Sequence, residues 1–288
     1  MRSTERIPQI PEFEFERRIP RIIHQTSPAF DALPPPVKET IGNLRASNPS
    51  HDYRFYSDTE IPRLIHMHYG EDVLQYYNMI NPAYGAARAD LFRYLMLYRF
   101  GGIYIDIKST FLAPIDDAID PADAFIISQW RQPHGHDHAE WGAHKELSHV
   151  PGGEFQQWHI IASPGHPFLR AVIQRVLSGI HTYSMSRFGF GQKGVLRLTG
   201  PIAYTLAIEP ILNDHPHRMV DNETSIGLQY SIFPGQTHRS FSQRHYTTST
   251  SPIVLRRGVG GAIDRCYRGG YVAVRRARNL AKALRSKI

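Results

Sequence analysis

Asp90 and Arg93 stand three residues apart in a stretch that gives them almost no water-loving company. From Leu91 to Leu97, the only charged residue is Arg93. On a helix this spacing puts acid and base on one face. Burying charge is costly unless it is paired, so an apolar helix that retains both groups retains them for a task. Asp106 and Lys108 follow at the end of Ile103-Tyr104-Ile105. If the strand continues through them, alternation turns both side chains to one face. An acid there can contact ligand hydroxyls or ligate a divalent metal, because Mg²⁺ and Mn²⁺ want hard oxygen donors. An ammonium group in the second position repels a dication and suits a phosphate instead. The plainer alternatives for Lys108 are an ion pair with Asp106 or a place in solvent.

The elements that position these groups are legible around them. Tyr84 to Phe100 reads as a buried helix, and Gly101-Gly102 stops it, since glycine takes the left-handed cap conformation without strain. Ile103 to Ile105 is a short strand that delivers Asp106 at its carboxyl end, where open α/β sheets bind ligands. Elsewhere, strands are expected at Arg21–Gln25, Tyr53–Ser57, Ala124–Gln129, Trp158–Ala162 and Ile226–Phe233. Helices are expected from Pro34-Pro35-Pro36 to about Ala46, from Asp58 toward Tyr69, from Glu71, and over Pro167–Ile180 and Pro201–Leu212. Strands alternating with helices argue for a mostly parallel sheet.

The run Arg88-x-Asp90-x-x-Arg93, followed by Gly101-Gly102-Ile103-Tyr104-x-Asp106, resembles glycosyltransferase family 32. These are the relatives of the yeast outer-chain mannosyltransferase, and the run is also similar to the glucosylating domains of large clostridial toxins. Ile19-Pro20-Arg21-Ile22-Ile23-His24-Gln25 resembles the family's first strand, Tyr53 to Asp58 its second, and Thr199-Gly200-Pro201 a short downstream signature. The resemblance implies an α/β fold of GT-A type, a Rossmann-like, mostly parallel sheet with helices on both faces. It further implies transfer of a sugar from a nucleoside diphosphate to a glycan or lipid-linked acceptor, with retention, as in polysaccharide biosynthesis. Asp90 and Arg93 would bind donor-sugar hydroxyls, and Asp106 would contact ribose and sugar with Tyr104 beside it. Arg88 would order the site or reach the phosphates, while His24 and Gln25 would read the nucleotide base. Gly200 would present a helix N-terminus, and His245 would approach the diphosphate. The family reads Asp-x-Asp where this chain has Asp106 and Lys108. That departure weighs against a Mn²⁺ or Mg²⁺ cofactor on Asp106, and it makes Lys108 either the catalytic cation or the mark of an inactive, sugar-nucleotide-binding relative.

Composition bounds the reading. The chain has 288 residues, of which 41% are hydrophobic, enough for one large core. One cysteine, Cys266, excludes an intramolecular disulfide and favours a reducing compartment. No apolar run is read as approaching the roughly 20 residues of a membrane span, and the N-terminal residues carry charges where a signal peptide needs its apolar core. A cytoplasmic location is therefore expected. The net charge of +7 is lopsided: residues 255–288 hold ten Lys and Arg against Asp264 alone, leaving residues 1–254 slightly acidic. The chain thus divides into a transferase domain, 1–254, and a basic tail, 255–288. Ala273, Ala277, Leu280, Leu284 and Ile288 recur there at helical spacing among basic residues. This is the pattern of a helix that lies on an anionic membrane surface at the inner face. A nucleic-acid-associated tail is the rival reading, but few aromatics are interleaved, and no nucleic-acid partner is expected.

Two further segments carry weaker signals. The stretch from Trp130 to Gly153 holds His134, His136, His138, His144 and His149. Loops this long are commonly lids or binding loops, so an acceptor-side lid is expected ahead of a metal site. Gly191-Gln192-Lys193-Gly194 lacks the phosphate-loop pattern and is assigned no phosphate role.

Overall fold

The structure is a computed structural model and describes residues 6–130, 141–220, 223–233 and 246–285. The chain opens with β1 (Ile22–Thr26), α1 (Pro35–Ser47) and β2 (Asp52–Tyr56). Two long helices follow, α2 (Ile61–Met79) and α3 (Gly85–Phe100), and then the strands β3 (Gly102–Ile105), β4 (Thr110–Phe111), β5 (Phe125–Ser128) and β6 (His159–Ala162). A helical layer comes next, with α4 (Pro167–His181), α5 (Met185–Phe188), α6 (Gly191–Leu198) and α7 (Pro201–Ile208). The short strands β7 (Arg218–Val220) and β8 (Leu228–Gln229) precede the last helix, α8 (Gly258–Arg285).

Six strands form one sheet in the order β2-β1-β3-β6-β5-β7. β1 runs parallel to β2 and β3, and β5 runs parallel to β7, while β6 is antiparallel to both its neighbours. The sheet is thus mixed but mostly parallel, as the alternation of elements predicts. Strand alternation sorts side chains to two faces. Tyr104, Ile127 and Ile160 join one core with α2, α3 and α4, whereas Ile103, Ile105, Ile126 and Ile161 join another that takes in Leu44 of α1. Helices therefore cover both faces.

The turn from α3 into β3 fixes the frame of the site. Gly101 and Gly102 have φ values of 61° and 99°. A β-carbon on Gly101 would lie 2.5 Å from Pro164 Cδ, and one on Gly102 would lie 2.6 Å from the Ile22 carbonyl oxygen. Only glycine fits where the helix end crosses so close to neighbouring backbone.

Several boundaries differ from expectation. β1 is shifted by one residue from the expected Arg21–Gln25 and ends at Thr26. β3 ends at Ile105, and the Ser109 amide turns back to the Asp106 carbonyl at 2.8 Å. Asp106 and Lys108 therefore lie in a turn beyond the strand. α2 begins at Ile61 after a Ser57–Glu60 turn, in which Glu60 accepts from the Ser57 amide at 2.9 Å, and it continues past a kink at Gly70 instead of restarting at Glu71. α7 ends at Ile208, short of the expected Leu212, and 3₁₀ turns with Pro210 near their start run over Glu209–Asp214. Ile226 to Phe233 contributes only β8, paired with β4 in a separate ribbon.

The apolarity of one segment was underestimated. Gly191–Asp214 is long and apolar enough by composition to cross a membrane, with mean hydropathy 1.2. It is, however, interrupted at Thr199-Gly200, and 61% of its most apolar window is buried inside the domain.

Candidate active site

α3 is wrapped by apolar neighbours on all sides, and Leu91, Leu95 and Leu97 are fully buried. In this setting Asp90 and Arg93 keep only 4% and 6% of their side-chain surface exposed. Arg93 is the hub. Its Nη2 lies 3.2 Å from Asp90 Oδ1, and its Nη1 lies 3.3 Å from Asp106 Oδ1. Nη1 also donates to the Gln157 carbonyl at 2.8 Å and to Gln157 Oε1 at 3.0 Å. The guanidinium sits 4.4 Å from the centre of the Tyr104 ring, whose hydroxyl donates to Asp106 Oδ1 at 3.0 Å. On the other side Thr199 Oγ1 donates to Asp90 Oδ2 at 2.8 Å.

The electrostatics follow from this burial. Desolvation raises the pKa of Asp90, opposed by Arg93 and by the Thr199 hydrogen bond. Desolvation also works against the charge on Arg93, but Tyr104, Asp106 and Asp90 more than offset it, so Arg93 remains a cation. Two carboxylates thus share one guanidinium, and Asp106, at 25% exposed, is the member that opens outward.

Lys108 faces the same opening from the turn after β3. Its Nζ donates to the Tyr230 hydroxyl at 2.8 Å and lies 3.9 Å from the centre of that ring. Burial lowers its pKa, with Asp106 acting against the shift and Arg93 adding to it. Lys108 is therefore held against an aromatic wall, neither loose in solvent nor simply directed at Asp106.

Asp90, Arg93, Asp106, Lys108 and Gln157 line one side of a cavity of about 530 Å³. Gly200 and Pro201, at the start of α7, also border it. Its other side was not legible in the sequence. Trp130, Trp141, Trp158 and Tyr230 form an aromatic wall, with ring centres 5.2–5.7 Å apart in the pairs that touch. His144 and Glu154 stand beside it.

The remaining expected site residues lie elsewhere. His24 donates from Nε2 to the Gly101 carbonyl at 2.9 Å and pairs through Nδ1 with the Tyr56 hydroxyl at 2.8 Å. Burial lowers its pKa to about 4, so it is a neutral clamp on the α3–β3 turn, away from the cavity lining. Gln25 supports Asp106 from behind: its Nε2 donates to the Asp106 carbonyl at 3.3 Å, and its Oε1 accepts from Tyr53. Arg88 lies 4.8 Å from the centre of the Tyr77 ring, outside the cavity lining. His149 is exposed and also outside it. His245, His134, His136 and His138 fall outside the described residues.

The donor set does not suit a divalent cation held by these residues alone. Asp106 offers one carboxylate whose Oδ1 already takes Tyr104 and Arg93, and an ammonium group stands in place of a second acid. Among the described residues, no three His, Cys, Asp or Glu side chains are grouped as metal ligands.

Comparison with known proteins places this geometry. Residues 34–126 match the family described as a glycosyltransferase sugar-binding region containing a DXD motif. The chain is 28% identical over 236 residues to the initiation-specific alpha-1,6-mannosyltransferase of Schizosaccharomyces pombe, covering 77% of this chain and 56% of that protein. It is 24% identical over 169 residues to inositol phosphoceramide mannosyltransferase 1 of the same organism, covering 58% of this chain and 45% of that protein. The chain therefore spans about half the length of these curated relatives. Among solved structures, the PaToxG glycosyltransferase is similar at a TM-score of 0.42 and 16% identity, over 69% of this chain and 74% of that one. The stretch that matches this family description, residues 34–126, is the one that brings Asp90 and Asp106 to the Arg93 guanidinium.

Proposed function

We propose that this protein is a glycosyltransferase of GT-A type that moves a hexose, mannose by analogy with its relatives, from a nucleoside diphosphate to an acceptor hydroxyl. One observation carries the reading. Inside the matched region, Arg93 bridges two carboxylates in the lining of a cavity of about 530 Å³. Asp90 and Arg93 hold donor-sugar hydroxyls, and Asp106 meets ribose and sugar with Tyr104 setting its orientation. As the glycosidic bond breaks, negative charge grows on the departing diphosphate. Cations fixed where that charge develops lower the barrier. Lys108 and Arg93 fill this role, with backbone N–H groups at Gly200 as further donors. The acceptor hydroxyl attacks from the same face as the leaving group, which retains anomeric configuration.

The acceptor is a glycan or a lipid-linked glycan. α8 supports a setting at the inner face of an anionic membrane. It docks at one end, where Asp264 accepts from the Met185 amide and from Arg256. Its apolar residues Val259 (76%) and Ile263 (56%) are exposed, as are Arg265, Arg268 and Arg275. This apolar face begins earlier in the helix than the Ala273–Ile288 stripe read from sequence. Domain 1–254 performs the transfer and segment 255–288 attaches it.

A second reading has its own observation. Lys108 is already committed to Tyr230, so the chain could bind the sugar nucleotide without turning it over. A thermal-shift panel of UDP, GDP, CMP and their sugars separates these readings when combined with donor hydrolysis, because a ligand bound only to the native state raises its stability. Transfer predicts that one nucleotide series stabilises the protein and that its sugar is released. Asp106→Asn should cut that release at least tenfold, consistent with about 1.5–3 kcal/mol for a hydrogen bond to a charged group. Stabilisation without release assigns the pseudoenzyme, and no stabilisation by any nucleotide rejects the donor site.

A further inference from the structure

We infer that the aromatic wall of this cavity is the acceptor subsite, where Trp141, backed by Trp130 and Tyr230, takes the apolar face of a pyranose ring and His144 receives the attacking hydroxyl. This rests on the transferase reading of the same cavity and adds the acceptor's chemistry to it. The aromatic wall accounts for every tryptophan in the chain, since Trp158 is the third. A pyranose has one face of C–H groups and a rim of hydroxyls, so its partners are a ring surface and a polar group at the edge.

The polar group is built. Glu154 accepts from Trp130 Nε1 at 2.6 Å through Oε1 and from His144 Nε2 at 2.6 Å through Oε2. A carboxylate only accepts, so neutral His144 carries its proton on Nε2 and leaves the lone pair on Nδ1. The same carboxylate ties the histidine to the edge of the aromatic wall and stabilises the imidazolium that forms, the division of labour known from carboxylate–histidine pairs in acyl transfer. The other charged groups near His144 are Glu146 and Arg197 of α6, which are themselves paired. The hydrogen bond that His144 donates to Glu154 raises the His144 pKa, burial opposes it, and the charges of Glu154 and Glu146 add to it against Arg197.

The step balances within the cavity. The acceptor oxygen bonds to the anomeric carbon, and its proton passes to His144 Nδ1. The anomeric carbon–oxygen bond to the diphosphate breaks, and its electron pair leaves with the nucleotide. Only neutral His144 can take the proton. Transfer should therefore rise with pH through the His144 pKa, and Glu154→Gln should move that rise to lower pH.

Because all three tryptophans line the cavity, intrinsic fluorescence reads its occupancy directly. Methyl α-D-mannopyranoside and methyl α-D-glucopyranoside are the probes, with UDP and GDP titrated in parallel. At least one pyranoside should change the emission saturably. Trp141→Ala, at the exposed end of the wall, should weaken that affinity about tenfold, or about 1.4 kcal/mol, and leave nucleotide affinity unchanged. In NMR titration the His144 imidazole resonance should shift on adding pyranoside and should titrate lower in Glu154→Gln. Loss of nucleotide affinity in Trp141→Ala would make the wall a base pocket and overturn the inference. A His144 resonance indifferent to pyranoside would overturn its role at the hydroxyl. If wild type binds pyranoside but no nucleotide, the donor reading fails and the acceptor subsite stands.

Discussion

The two sides of the cavity are built in opposite ways. The charged side comes from a short stretch of chain: Asp90, Arg93, Tyr104 and Asp106 come from one helix, one strand and the turn that follows it. The aromatic side is gathered from Trp130, Trp141, His144, Glu154, Trp158 and Tyr230, which come from separate loops and strand ends. One side stands on rigid elements and is nearly sealed. The other contains a tryptophan that is 39% exposed. A donor must be held in one geometry for bond breaking, which suits the sealed side. Acceptors differ in size and branching, which suits a wall assembled from loops.

This contrast can be broken first at its most buried point. Arg93→Ala leaves Asp90 and Asp106 without their shared cation, and removing one partner of a buried ion pair costs about 3–5 kcal/mol. Chemical denaturation should record that loss, and nucleotide binding should vanish with it. An unchanged unfolding midpoint would mean that the cluster is not the rigid half of the site.

Lys108 sits where the two sides meet, so its removal separates them more gently. If Lys108 supplies the charge that a metal would bring, transfer survives EDTA, and Lys108→Ala loses at least tenfold in rate without rescue by Mn²⁺. Wild-type activity that EDTA abolishes and Mn²⁺ restores would assign the diphosphate to a metal instead.

The smallest effect on the cavity is expected from the far end of α8. A chain ending at Arg268 keeps the Arg256–Asp264 anchor and removes six of the ten tail bases. Nucleotide affinity should be unchanged, while sedimentation with anionic vesicles should fall sharply, since each Lys or Arg near such a surface contributes about 1 kcal/mol. If the intact chain stays in solution with those vesicles at low salt, α8 serves another partner, a second copy of the chain included.

What the sequence disclosed follows the same division. Asp90, Arg93 and Asp106 could be found because short-range spacing fixes their relation, and the helix and strand that carry them have strong apolar patterns. His24 and Arg88 also belong to segments that resemble the family, but spacing does not say which side of a sheet or helix meets the cavity. His24 faces Gly101 and Tyr56, and Arg88 faces Tyr77. Alternation would turn Asp106 and Lys108 to one face only in a continuing strand, and the chain instead turns at Asp106 before β4 pairs with β8. The aromatic wall had no periodic signature at all. The single available clue was that all the tryptophans fall between positions 130 and 158.

The glycine pair at 101 and 102 sets a limit on how this active site can change over time. Both positions press against backbone or against the ring of Pro164, neither of which can swing aside as a flexible side chain would. The offset between the helix bearing Arg93 and the turn bearing Asp106 is therefore not an adjustable variable. Descendants of this chain can exchange residues along the loops of the aromatic side, but they inherit the offset between Arg93 and Asp106 as a fixed part.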